Sequence, residues 1–237
     1  MVSEQQTPYV PTLYRGDCLD FLPTLYDNSI DLLLTDPPYG FFYLSRSHTL
    51  PLTRIANDRH EAVPLLRKVL RIVYTKLKEN GVGLVFSNWQ CYSSIEAVIK
   101  EEGFQIINVL IWKKNAWGRG DLKGNWRYIY EQAIFFRKKK TPTWLRRFLN
   151  GAQEGNVLEF SKLPTQHMRH PTEKPVPLLK HLIERTTQLG EVVLDPFAGS
   201  GSTLVASKLL GRVYLGCELE DVWHTRATQW LAATEAA

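Results

Sequence analysis

Two short stretches carry residue types whose spacing does chemistry. The first is Asp36-Pro37-Pro38-Tyr39, directly after the apolar run Ile30–Leu34. A planar exocyclic amine, such as adenine N6, is a poor nucleophile because its lone pair is delocalised into the ring. To attack, it needs acceptors for both N–H bonds so that the nitrogen becomes tetrahedral. The Asp36 carboxylate can accept one, and the Pro37 carbonyl the other. Proline fixes φ and so holds that carbonyl in place. Tyr39 offers a ring on which a base can stack. The arrangement is electrostatic preorganisation around charge developing on nitrogen. The plainer alternative is a rigid turn leaving a strand. With a reference pKa of about 3.9, Asp36 is expected to be ionised at neutral pH.

The second stretch is Val192-Val193-Leu194-Asp195-Pro196-Phe197-Ala198-Gly199-Ser200-Gly201-Ser202-Thr203. It reads as strand, glycine turn, helix, and its glycines let a ligand approach the backbone at a helix N-terminus. Leu204 stands where a dinucleotide fingerprint needs its third glycine, and no lysine follows either glycine as a phosphate loop requires. The loop therefore suits a nucleotide-like ligand without a pyrophosphate. Further on, Val213–Gly216 leads to Glu218, where a carboxylate can accept two ribose hydroxyls. A solvated helix start is the alternative for Glu218.

The elements that must position these residues follow from the hydrophobic pattern. Ile30–Leu34, Val82–Phe86, Gln105–Trp112, Ile129–Arg137, Glu191–Leu194 and Val213–Gly216 read as strands. Val63–Leu77, Ser93–Lys100, Pro175–Gln188, Ser202–Leu210 and Val222–Ala233 read as helices, the first stopped by Asn80-Gly81 and the third opened by proline. Alternating strands and helices imply an α/β layer fold with a largely parallel sheet. The 237 residues supply one good-sized core. Segments 41–60, 114–127 and 141–172 are the least regular.

Composition narrows the function class. Cys18, Cys91 and Cys217 are scattered singly, which suggests reduced thiols in a cytoplasmic protein rather than a disulfide framework. The histidines have no metal-ligand spacing, so no metal is expected. Met1–Pro11 has no apolar signal core, and no apolar run approaches membrane-spanning length. Net charge is +5, but Ile111–Asn150 holds eleven Lys and Arg against Asp121 and Glu131, a net +9 that leaves −4 for the rest. A polyanion such as nucleic acid suits that segment. Lys113, Lys114, Arg119, Lys123, Lys138, Lys139 and Lys140 are its candidate phosphate contacts, with Trp117 or Trp126 as candidate aromatic ones. For Lys138–Lys140 a solvated strand end is the alternative, and Trp112 reads as core. The loop with Arg46, His48, Arg54 and Arg59 is a candidate to close over an extruded base.

Taken together, Asp36-Pro37-Pro38-Tyr39-Gly40, the Asp195–Thr203 loop, His170-Pro171-Thr172-Glu173-Lys174-Pro175 and Arg15-Gly16-Asp17-Cys18 resemble the β-ordered DNA amino-methyltransferases that use S-adenosylmethionine. In this group the catalytic tetrad precedes the cofactor loop. The resemblance spans residues 15–218. It implies a single domain over 1–237 with a Rossmann-like methyltransferase fold in circularly permuted motif order: a seven-stranded, mostly parallel sheet with helices on both faces. It implies that Asp36, Pro37, Pro38 and Tyr39 form the pocket for the target amine. Phe197, Gly199, Ser200 and Gly201 would wrap the methionine end of the cofactor, with Asp195 near its ammonium. Glu218 would bind its ribose, Asp17 and the Cys18 backbone its adenine, and Thr172 and Lys174 its carboxylate. Thr172 serves equally as a helix N-cap. Double-stranded DNA is the implied partner, reached by flipping a nucleotide into the pocket, and relatives that dimerise make a homodimer a candidate. Segments 113–127 and 141–169 are the candidate target-recognition loops. Asp36 and the motif order favour adenine N6 over the alternatives, namely cytosine N4, RNA adenine, a glutamine amide, or a DNA-binding module without activity.

Overall fold

The strands expected from the apolar runs all join one sheet in a computed structural model, which describes residues 8–40, 61–116, 123–124 and 126–235. The strands are β1 (Thr12–Arg15), β2 (Ile30–Thr35), β3 (Leu77–Ser87), β4 (Phe104–Lys113), β5 (Tyr130–Lys138), β6 (Val157–Glu159), β7 (Val192–Asp195) and β8 (Val213–Glu218). Their order across the sheet is β1-β8-β7-β2-β3-β5-β4-β6. Only β5 among them runs against the others. The sheet therefore has eight strands where seven were expected. The two strands that the apolar pattern did not reveal lie at the edges: β6 is three residues long, and β1 is half exposed.

Among the described residues six α-helices cover the two faces: α1 (Cys18–Phe21), α2 (Ala62–Lys76), α3 (Tyr92–Glu101), α4 (Val176–Thr186), α5 (Ser202–Leu209) and α6 (Asp221–Ala233). On one face α1, α2 and α3 pack Phe21, Leu66, Val69, Leu70, Val73, Ile95 and Ile99 against Leu33, Val85, Ile134 and Leu194. On the other, α4 packs Leu178, Leu179, Leu182 and Ile183 against Leu32, Leu34, Leu84 and Val193. Such side chains repeat at three- and four-residue steps on the helices and alternate on the strands, as two-sided burial of a parallel sheet demands. Each contributes about 2 kcal/mol on leaving water.

Asn80-Gly81 does not end α2. The helix stops at Lys76, and Asn80 and Gly81 lie within β3, whose first residue already pairs with Ile30. A Cβ on Gly81 would meet the Leu77 side chain at 2.7 Å, so glycine is required here by close packing and not by a turn.

One topological feature positions everything that follows. From β2 the chain proceeds through α2 to β3 on one side, and from β7 through α5 to β8 on the other. The strands β2 and β7 are neighbours, with Leu32 opposite Val193 and Leu33 opposite Leu194. The order thus reverses between them, and the crevice beyond their carboxyl ends is where an open α/β sheet binds ligands.

Candidate active site

Asp36 and Asp195 stand at the carboxyl ends of β2 and β7, on either side of that crevice. Thr35 links the two strands through its hydroxyl, which donates to Asp195 Oδ1 at 2.7 Å. The Phe197 N–H donates to the same oxygen at 3.1 Å. Burial pushes the Asp195 carboxyl up to about 6, against the pull of the Thr35, Thr203 and Phe197 donors.

The glycine loop curls back over β8. Gly199 and Gly201 both take positive φ, +52° and +82°, which L side chains adopt rarely. The Gly199 N–H donates to Glu218 Oε2 at 2.8 Å, and the Glu220 N–H donates to Glu218 Oε1 at 2.8 Å. Burial raises the Glu218 carboxyl to about 7, with the neighbouring charges of Glu220 and Asp195 adding to it and the two backbone donors opposing. Gly16 N–H donates to the Glu218 carbonyl at 3.0 Å, which brings Asp17 and Cys18 to the same rim. Asp17 Oδ1 caps α1 by accepting from Leu19 N–H at 2.8 Å. Burial pushes the Cys18 thiol up to about 12, and the Cys217 thiol rises for the same reason. All three cysteines are buried, and none of them forms a disulfide among the described residues.

The His170–Lys174 segment bridges the two halves of the crevice. Its His170 ring lies beside Gly199, where an added Cβ would sit 3.6 Å from it, and packs edge-on against Trp223 at 4.5 Å. Burial, reinforced by Lys174 and Arg226, holds His170 down at about 3, so it is neutral. The Thr172 hydroxyl lies 3.1 Å from His170 Nδ1. At its other end Lys174 Nζ donates to Asp36 Oδ2, and the Tyr39 hydroxyl donates to Asp36 Oδ1. Lys174 is thus turned to the tetrad and not to the place expected for a cofactor carboxylate. A buried ammonium goes where negative charge is densest, and two carboxylates meet here.

The second of these is Glu131, at the start of β5. Its Oε2 is 3.2 Å from Lys174 Nζ, and its Oε1 accepts from Lys114 Nζ. Lys114 in turn lies over the Trp112 ring, 4.7 Å from its centroid. Burial alone would raise Glu131, but Lys174 and Lys114 more than offset it and hold the carboxyl at about 2. Burial pushes the Asp36 carboxyl above its ordinary range, while Lys174 pulls it back and the Glu131 charge adds to the rise. Burial depresses Lys174, yet Asp36 and Glu131 outweigh that and raise it, so the ammonium stays charged.

The basic segment divides. Lys113 and Lys114, closing β4, reach the rim of the crevice, where Lys113 pairs with Glu159 at 2.7 Å and Lys114 is committed to Glu131. Lys123 is exposed. Arg119, Trp117 and the Arg46–Arg59 loop lie outside the described residues. Lys138, Lys139 and Lys140 are not at the site. Because β5 runs backwards, Lys138 pairs with Phe104 at the start of β4, at the end of the sheet away from the crevice. Lys138 is 3% exposed, its Nζ bonded to Glu79 at 3.0 Å and 5.2 Å from the Tyr74 ring centroid. The first part of 141–169 shares that far end, beside the amino ends of β2 and β7. Arg147 is buried there between Asp31 and Glu191, both at 3.0 Å. Only the later part, where Phe160 N–H meets the Lys113 carbonyl and Lys162 N–H meets Asn115, runs beside the crevice. Trp112 is buried as expected, its indole N–H donating to the Phe160 carbonyl at 2.8 Å. On the rim stand Trp126, 92% exposed, and Trp89, whose ring lies 6.2 Å from that of Tyr128.

The family model for N6/N4 DNA methylases matches residues 30–229. The chain belongs to this family. It is 34% identical over 223 residues to YubD of Escherichia coli (strain K12), whose name describes a methylase, covering 94% of this chain and 91% of that one. It is 30% identical over 234 residues to the type II methyltransferase M2.MboI of Moraxella bovis, covering 88% of this chain and 82% of that one. The crystal structure of the M1.HpyAVI–SAM complex superposes with a TM-score of 0.70 at 24% identity, covering 93% of this methylase chain and 99% of that chain. This last likeness concerns the fold. In the methylase described here, no helix among the described residues is long and apolar enough to cross a membrane.

Proposed function

We propose that this methylase transfers a methyl group from S-adenosylmethionine to adenine N6 in duplex DNA. The observation that carries the reading is the placing of Asp36 and the glycine loop on adjacent strands at the reversal of strand order. The residues fit the cofactor: a side chain at Gly199 would fill the cradle against His170, and the Glu218 carboxylate faces it from β8. Phe197, Gly199, Ser200 and Gly201 hold the methionine end, with Asp195 near its ammonium and Thr172 near its carboxylate. Asp17, the Cys18 backbone and Glu218 hold the nucleoside. When bound, S-adenosylmethionine supplies a methyl group on a sulfonium, a leaving group that needs no assistance from a base.

The chain's own residues then prepare the acceptor. Asp36 and the Pro37 carbonyl accept the two N–H bonds of the amine and let its nitrogen turn tetrahedral. Pro37 and Pro38 keep that carbonyl rigid, which lowers the entropic part of the barrier. The hydroxyl tether to Asp36 fixes the Tyr39 ring beside the base. After transfer, the ammonium product loses its proton to water or to Asp36. The base must first leave the duplex, at a cost of a few kcal/mol. Stacking on Tyr39 offsets part of this, and the rim with Lys113, Lys123, Trp89 and Trp126 grips the flanking strand. An aspartate at position 36 favours adenine, because by resemblance cytosine-N4 enzymes usually carry serine there.

Incubation with labelled S-adenosylmethionine and duplex DNA, then digestion to nucleosides, tests the reading. Label in N6-methyladenine is expected. Label in N4-methylcytosine replaces adenine by cytosine, and no transfer despite bound cofactor refutes the proposal.

A further inference from the structure

We propose that Glu131 is a positioning residue that draws Lys174 off Asp36 and so opens the carboxylate to the target amine. The inference rests on the methyl-transfer reading above. Both Asp36 oxygens are taken as the molecule stands: Oδ1 by the Tyr39 hydroxyl, Oδ2 by Lys174 Nζ. Each oxygen keeps a second lone pair, but an amine that donates an N–H to this carboxylate must compete there with a donor already in place, and at Oδ2 that donor is charged and the stronger. Lys174 must yield, and a buried ammonium yields only to another anion.

Glu131 is that anion. Its Oε2 is buried, has no hydrogen bond among the described residues, and lies 3.2 Å from Nζ. A small swing of the lysine therefore exchanges one carboxylate for the other without exposing the charge to solvent. Glu131 is held ready from behind by Lys114 on Oε1, and Lys114 is steadied by the Trp112 ring. Lys114 and Glu131 also stand at the two ends of the connection from β4 to β5, the segment expected to meet DNA.

The test separates positioning from a general loss of structure. In Glu131→Gln the second anion is gone and Lys174 stays on Asp36. Turnover on duplex DNA should fall about tenfold or more, with cofactor affinity by titration calorimetry close to wild type when both are measured below the lowered thermal midpoint that loss of a buried ion-pair partner brings. Adding Lys174→Met removes the ammonium that Glu131 was needed to withdraw. The double variant should therefore turn over several-fold faster than Glu131→Gln alone. A residue needed only for packing predicts the reverse order. Should Glu131→Gln not fold, Glu131→Asp retracts the carboxylate by one methylene, and the same comparison with and without Lys174→Met applies. Wild-type turnover in the Glu131 variant, or a double variant no faster than the single, overturns the proposal. Absence of transfer by the wild-type protein overturns the methyl-transfer reading itself, a result distinct from either.

Discussion

The Glu218 carboxyl should make cofactor binding pH-dependent in the neutral range. Burial lifts it from its ordinary 4.5 to about 7. Only its ionised form accepts two ribose hydroxyls, and that form prevails above pH 7 and is lost as pH falls through it. About nine in ten Glu218 carboxyls are ionised at pH 8 and about one in ten at pH 6. The dissociation constant of S-adenosylmethionine should thus rise about tenfold between the two, near 1.4 kcal/mol. Folding stability has the opposite sign: a raised carboxyl pKa means the free protein loses stability as pH rises from 4.5 to 7. Tighter binding at pH 8 is therefore not a by-product of a firmer fold. Titration calorimetry at pH 6 and pH 8 measures the effect. Asp195, at about 6, also titrates in this window, so Glu218→Gln is the control: it should bind more weakly at pH 8 and lose most of the pH dependence. Equal affinity at both pH values in the wild type, or an undiminished dependence in the Gln variant, would refute the ribose assignment.

Gly201→Ala should cost about 1–2 kcal/mol, because φ is +82° and the new Cβ would meet that of Ala227 at 2.9 Å; urea unfolding measures it, and cofactor affinity should fall with it. Arg147→Met should lower stability by about 3 kcal/mol, since Asp31 is 1% exposed and would keep Lys78 as its remaining cation. Its turnover at 25 °C should stay near wild type, because the change lies at the amino ends of the strands, away from the crevice. Neutralising Lys139 and Lys140 should leave the salt dependence of DNA binding unchanged, whereas neutralising Lys113 and Lys123 should flatten it; fluorescence anisotropy across a salt series distinguishes the two.

The catalytic half of the sheet was legible because its strands are long apolar runs that end abruptly in acids. Ile30–Leu34 before Asp36 and Val192–Leu194 before Asp195 leave little choice of period or boundary. The edges were not legible. Thr12–Arg15 is short and half exposed, and Val157–Glu159 buries only Leu158, so neither has a pattern that differs from a loop. Charge runs misled for a related reason. Sequence shows Lys138–Lys140 as one cationic block, but the strand alternation turns Lys138 inward, where its stem lies near Tyr74 and its ammonium meets Glu79. The reversal of β5 then carries the block away from the crevice. Glu131 was visible only as one of two acids in a basic segment. Its signal was that isolation: an acid opening an apolar strand among cations has a reason to be buried with them. Lys174 could not be placed, since Asp36 lies 138 residues earlier in the chain and nothing local relates the two.

If Asp36 serves the amine and not the methyl donor, Asp36→Ala should separate the two functions. Methyl transfer to duplex DNA and the dissociation constant of S-adenosylmethionine are measured on the same preparation. Transfer should fall below detection, with cofactor affinity within about threefold of wild type, less than 1 kcal/mol. Persistent transfer, or cofactor affinity falling as far as the rate, would contradict that role for Asp36.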